Sequence, residues 1–247
     1  MRTPVRAVTV TTTAVAFALL VTACGGGQGG GDQAKGRSGE STPSVSATPS
    51  APPRKALTLP ELEEAMVGQG DVKGYGVEEG DPGISSAGVI VDQDACKPIA
   101  DALYSIPHHL AFATAGTMAA EMPRSGGAPG QEDPVTFLTL SSYEGNSADE
   151  ALSSVKTSAS ACRNGFTFTV SDEMRRVLTV APVQLSVGDE ALAWRIAFPT
   201  GGAPHHATVA VFRKGGTVAV ASTTSGAPGG IATPPQALLD AQAAKLS

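Results

Sequence analysis

Long hydrophobic runs are scarce in this chain of 247 residues: a single one lies near the amino terminus, which excludes a multi-span membrane protein. Charge is sparse at 16% and aromatics reach only 4%, yet hydrophobic residues make up 41%, too many for a fully disordered chain or a collagen. Cysteine occurs three times, with no CxxC and no close Cys/His spacing, so no zinc site is indicated. Basic residues are outnumbered in residues 56–247, where 11 Lys and Arg face 21 Asp and Glu, a balance of −10. Such a surface repels phosphate backbones and anionic lipid, so nucleic acid is not expected as a partner.

Motifs of catalysis are missing too. No GxSxG turn occurs; Gly83-Ile84-Ser85-Ser86-Ala87-Gly88 is one residue too long. The histidines form two adjacent pairs, His108-His109 and His205-His206, not the i, i+4 spacing of a helical zinc protease. Neighbours in a strand point to opposite faces, so one of each pair is expected in solvent. No Gly-rich loop follows a strand and opens a helix, and the acids of residues 69–94 lack the spacing of an EF-hand. Neither cofactor nor metal is expected.

What the amino terminus does contain is an address. Arg2 and Arg6 precede the apolar stretch 7–21, about 15 residues against the roughly 20 that span a bilayer as a helix, which is a signal-peptide profile over residues 1–23. It ends in Val21-Thr22-Ala23-Cys24, which resembles the lipobox of bacterial lipoproteins. Small side chains at Thr22 and Ala23 admit a peptidase, and the Cys24 thiol takes a diacylglycerol thioether before cleavage leaves it as the first residue. The competing reading is a cleaved signal peptide with an incidental cysteine. Lipidation of Cys24 leaves Cys96 and Cys162 as an even pair in an exported domain, so they are expected to form a disulfide. Residues 24–55, with GGGQGGGDQ followed by a Pro/Ser/Thr tract, read as a tether. The expected location is the extracytoplasmic side of the cell membrane, held by the lipid.

Residues 56–247 suit one exported domain. Thr58, with Pro60 and Glu61 in the first turn, predicts a short helix ending near Gly68. Val89–Val91 is strand-like, 95–105 helical, 110–121 ambiguous, 125–134 a loop, and the segment from Val135 a buried strand. Ser147 is the expected cap of a helix over Ala148–Cys162, in which Leu152, Val155, Ala159 and Cys162 share one face. From Phe166 the period becomes two, and TVAVFR and TVAVAS flank Lys214-Gly215-Gly216 as a hairpin. A closing helix follows the prolines at 234 and 235. The expected fold class is α+β, a largely antiparallel sheet with helices packed on one face and one disulfide.

Trp194 and Arg195, side by side in ALAWRIAF, are the candidate ligand contacts: the indole to line a groove, the guanidinium to hold an anion. The competing reading packs the indole on the sheet and leaves the guanidinium solvated. A catalytic alternative would pair Glu78 or Glu79 with Asp92 or Asp94 beside one pocket, for an enzyme acting on envelope polymers. A third possibility is a structural lipoprotein that docks other envelope proteins through an exposed apolar patch.

The succession LTLPELEEAMVGQGDVKGY, a helix starting at Cys96, TFLTLSSYEGNSADEALSSVKTSASACRNGF and VAVFRKGGTVAVAS resembles the extracellular sensor domains of the mycobacterial PknH kinases and related actinobacterial lipoproteins. The resemblance implies an α+β fold with a groove, disulfides, an extracellular ligand and no established catalytic residues. This chain departs from the kinases in having no kinase domain and one expected disulfide. The function expected from the sequence is a non-catalytic, membrane-anchored domain that binds a small ligand, a cell-wall component or an envelope protein.

Overall fold

The computed structural model describes residues 55–80, 86–122, 133–224 and 232–246. The signal peptide, the lipobox with Cys24, the tether and most of the 125–134 loop lie outside them. In chain order the elements are α1 (Leu59–Ala65), β1 (Tyr75–Glu79), β2 (Val89–Val91), α2 (Lys97–Ala102), β3 (Ala113–Glu121) and β4 (Val135–Ser142). Then follow α3 (Ser147–Ala161), β5 (Phe166–Val170), β6 (Glu173–Val177), β7 (Thr179–Val183), β8 (Glu190–Phe198), β9 (His205–Lys214), β10 (Thr217–Thr224) and α4 (Gln236–Lys245).

The β9–β10 hairpin is the centre of the fold. Gly215 turns it at φ 59°, a left-handed conformation open to glycine at little cost. Period two then separates the side chains: Val209, Val211, Val218 and Val220 on one face, Ala210, Phe212, Ala219 and Ala221 on the other, all buried. Antiparallel pairing extends the hairpin in both directions to the order β1-β3-β4-β10-β9-β8-β7, and β2-β5-β6 forms a second, three-stranded antiparallel sheet.

The expected α+β class with antiparallel sheets and one disulfide holds, but the helices cover both faces of the large sheet. Because the hairpin strands are apolar on both sides, each side needs a cover. The first core cluster joins the valine face to Ile99 of α2, Leu152 and Val155 of α3, and Phe166 and Phe168 of the small sheet. The second joins Phe212, Leu138 and Leu140 to Leu62 of α1 and Leu238 and Leu239 of α4.

Each short helix is held by a partner, as isolated helices of six or seven residues are unstable in water. The Thr58 backbone N–H and hydroxyl both donate to the Glu61 carboxylate, 2.7 and 2.8 Å, opening α1 and holding the Glu61 pKa below its ordinary value. Its other end is closed from α4: fully buried Gln242 accepts from Val67 N–H at 3.0 Å and donates to the Ala65 carbonyl at 2.7 Å. A Gln242→Leu variant leaves both backbone groups unpaired, and the expected loss in urea unfolding is about 2–3 kcal/mol. In α2 the first-turn N–H of Ile99 donates to the Ser158 hydroxyl of α3, and the Cys96–Cys162 disulfide, Cα–Cα 5.8 Å, ties the start of α2 to the end of α3. The cap of α3 is Asn146 rather than Ser147, one residue earlier than the sequence suggests.

Candidate functional site

At least three grooves on the described residues reach the size of a ligand site, roughly 300–1,000 Å³, and two of these exceed 800 Å³. One, about 840 Å³, lies between the start of α2 and α3 and is lined by Asp94, Asp149, Glu150 and several hydroxyls. Ala95, Pro98 and Ala161 add apolar lining, but the groove carries three carboxylates, of which Asp149 is already engaged by the Arg213 guanidinium at 2.9 Å. No cluster of three or more metal-ligating side chains occurs among the described residues, at this groove or elsewhere.

The other groove, about 990 Å³, also mixes apolar and polar lining but carries a single carboxylate, closer to the largely uncharged lining that ligand sites favour. It straddles the outer side of β3. β1 pairs with β3 only as far as Thr117, so Thr114, Ala115 and Gly116 line the cavity instead of a β1 neighbour. Sterics require glycine at position 116, because a Cβ on Gly116 would stand 2.8 Å from the Gly80 carbonyl where the chain leaving β1 passes close to β3. α1 contributes Leu59 and Glu63, and Met66 at its C-cap, as one wall, and the turn after α2 contributes Ser105, Ile106 and Pro107 as the other. Glu63 is the one ionisable side chain of this lining among the described residues.

The second wall is held in an unfavourable backbone shape by hydrogen bonds to the sheet. Ser105 and His109 both have positive φ, 54° and 68°, a conformation that costs a non-glycine residue on the order of 1 kcal/mol or more. Holding them there, the Ser222 hydroxyl donates to the Leu103 carbonyl at 2.6 Å, Ser105 to the Phe137 carbonyl at 2.8 Å, and the Tyr143 hydroxyl to the His108 carbonyl at 2.8 Å. Burial pushes the Tyr143 pKa up to about 12, so this donor keeps its proton throughout the ordinary range. Past the wall, Leu110 and Phe112 stand in solvent at 97% and 57% exposure, and Leu59 at 45%, a loose apolar rim.

His108 itself is half-buried, edge-on to His109 with ring centroids 4.6 Å apart. Burial, then the His109 and Lys97 charges, lower its pKa from the ordinary 6.5 to about 4. The unfolded chain therefore takes up a proton between about pH 6.5 and pH 4 that the folded chain refuses. Stability from this group is full above pH 6.5 and falls on acidification towards pH 4, by on the order of 1–2 kcal/mol once screening of the half-exposed ring is allowed for. A His108→Gln variant is expected to flatten that part of a stability-against-pH profile.

The arrangement now has a solved counterpart to be set against. The crystal structure of the extracellular domain of PknH from Mycobacterium tuberculosis matches this chain with a TM-score of 0.51, at 16% identity, over 78% of this chain and 98% of that one. The two domains share a fold. No family model and no curated protein matches the sequence. The resemblance drawn from the sequence holds at the level of architecture.

The residues singled out in the sequence are dispersed over that fold. Trp194 and Arg195 are not brought together: successive residues of β8 face opposite ways. Trp194, 6% exposed, packs in the first core cluster and touches a depression of about 520 Å³ at the β7–β8 edge, whereas Arg195 points to the other face beside Thr208. Glu78 sits on β1 of the large sheet, while Asp92 follows β2 of the small one and accepts from Thr167 N–H at 3.1 Å. Neither they nor Asp94 line the 990 Å³ groove. His205 and His206 begin β9 on opposite faces, as alternation requires. The groove residues Leu59, Met66, Ile106 and Thr114 carry no sequence signal as a set, because they come from three separate segments.

Proposed function

We propose that the chain is a membrane-anchored, extracytoplasmic lipoprotein whose domain is a sensor-like, non-catalytic binding module, with the groove beside β3 as its ligand site. The observation that carries this reading is the strained wall: Ser105, which lines an apolar-and-polar cavity of about 990 Å³, is held in a left-handed conformation, as is His109 further along the same turn, and backbone strain of this kind concentrates where a ligand is clamped. The fold shared with an extracellular domain and the lipobox ending at Cys24 support the location. A lining that, among the described residues, has one carboxylate and no histidine or cysteine supports binding over acid–base or nucleophilic chemistry. The ligand class is a small apolar-bodied molecule or cell-wall fragment with a few hydrogen-bonding groups.

Thermal unfolding in the presence of soluble peptidoglycan fragments and of short-chain phospholipid tests the module. A saturating ligand at a hundred times its Kd raises stability by about 2.7 kcal/mol, and Thr114→Trp, which fills the groove from an exposed position, should cancel the shift. No shift with either probe, or an equal shift in the variant, contradicts the site. For the anchor, Cys24→Ser is expected to move the protein from the membrane to the soluble fraction; retention in the membrane contradicts lipidation.

A further inference from the structure

Away from that groove, the second face of the large sheet carries two nitrogens whose surroundings ask for an acceptor. Arg195 lies opposite Thr208 and His206 opposite Ala197 in the β8–β9 register, which makes Arg195 and His206 diagonal neighbours on one face. Both side chains are half-buried, and Arg195 Nε and His206 Nδ1 are buried with no hydrogen-bond partner. Arg213, whose Nε is buried likewise, shows the contrast: its guanidinium is met by the carboxylates of Asp149 at 2.9 Å and Asp189 at 3.1 Å. Among the described residues no carboxylate meets Arg195, although acids outnumber basic residues nearly two to one in residues 56–247. Its cross-strand neighbours on that face are Ala181 and Thr208, with Thr179 and, on its own strand, Ala197 one pair further along, none of them charged. Thr208 is itself satisfied, its hydroxyl donating to the Ala232 carbonyl at 2.6 Å and so fixing the chain ahead of α4 against this part of the sheet.

Buried N–H groups without acceptors are uncommon in folded proteins, and a cationic guanidinium left alone is costlier than a neutral one. We propose that Arg195 and His206 form a binding site for a small oxyanion, a carboxylate or phosphate group. The guanidinium donates to one or two of its oxygens, and His206, in its Nδ1–H tautomer, donates to another. The alanines and threonines around them leave the site free of competing negative charge. This site is independent of the β3 groove and stands or falls without it.

The test is a titration of the full chain in detergent, at constant ionic strength, with inorganic phosphate and separately with acetate, following the imidazole nitrogens by NMR. The His206 signals are assigned by their loss in H206Q. A saturable movement of the His206 resonances with either anion is the expected result, phosphate alone marking a tetrahedral site and acetate a planar one. R195Q should weaken it by about tenfold or more, the value of one charge-assisted hydrogen bond. R195K, which keeps the charge without the planar fork, should recover only part of the affinity. Resonances unmoved by both anions, or moved alike in wild type and R195Q when both unfold at the same temperature, would overturn the site and leave the two nitrogens to ordered water.

Discussion

Replacing both Cys96 and Cys162 with serine is expected to lower the unfolding free energy by about 4 kcal/mol. The bridge closes a loop of 66 residues, and in the chain-entropy account a loop of that length restricts the unfolded ensemble by this amount. The damage should be local before it is global. α2 has six residues and depends on α3 for its first-turn hydrogen-bond partner, Ser158, so loss of the covalent tie frees α2 first. The turn that follows α2 is the wall of the groove carrying Ser105, Ile106 and Pro107. Urea unfolding should therefore report the 4 kcal/mol, and amide hydrogen exchange should quicken at residues 97–107 more than in β9 and β10. A loss below about 1 kcal/mol with uniform exchange would mean that the bridge does not restrain this wall.

Truncating Phe212 to alanine is expected to cost about 3–5 kcal/mol, the range for removing a buried aromatic ring when its surroundings do not collapse. Phe212 is fully buried on a central strand, in the cluster that takes in Leu62 of α1 and Leu238 and Leu239 of α4. Its cross-strand neighbours Ala191 and Ala219 are too small to fill the space it leaves. The seat of α1 is thereby loosened, and with it Leu59 and Met66 on the groove's near wall. Denaturant unfolding gives the magnitude; an effect under about 1 kcal/mol would show that the face shared by α1 and α4 packs loosely, against the burial of Phe212.

The sequence makes some of this visible and hides the rest for identifiable reasons. The β9–β10 hairpin is legible because Gly215-Gly216 sits between two alternating apolar runs, and α1 because Thr58 and Glu61 have capping-box spacing. β1 is missed: Tyr75–Glu79 contains a glycine and ends in two glutamates, which suits an edge strand and resembles a loop. β3 reads ambiguously because ATAGTMAAE is built of small residues that leave little periodic signal. Helices cover both faces rather than one because β9 and β10 are apolar on both sides, and the pairing of α1 with α4 on the Phe212 face runs through Gln242, a polar residue that no hydrophobic pattern reports. The groove escapes for the same kind of reason, since α1, the turn after α2 and the start of β3 meet only in three dimensions. Trp194 and Arg195 adjoin in the chain, but the alternation that separates His205 from His206 sets them on opposite faces of β8 as well.

The most direct measurement is the native mass of the protein extracted from its own membranes in mild detergent, for the wild type and for Thr114→Trp side by side. The expected result is a chain that starts at Cys24 and carries a diacylglycerol, with a further bound species on the wild type that is absent from the groove-filled variant. An unlipidated chain would contradict the anchor, and a wild type that is empty, or that carries the same species as Thr114→Trp, would contradict the binding groove beside β3.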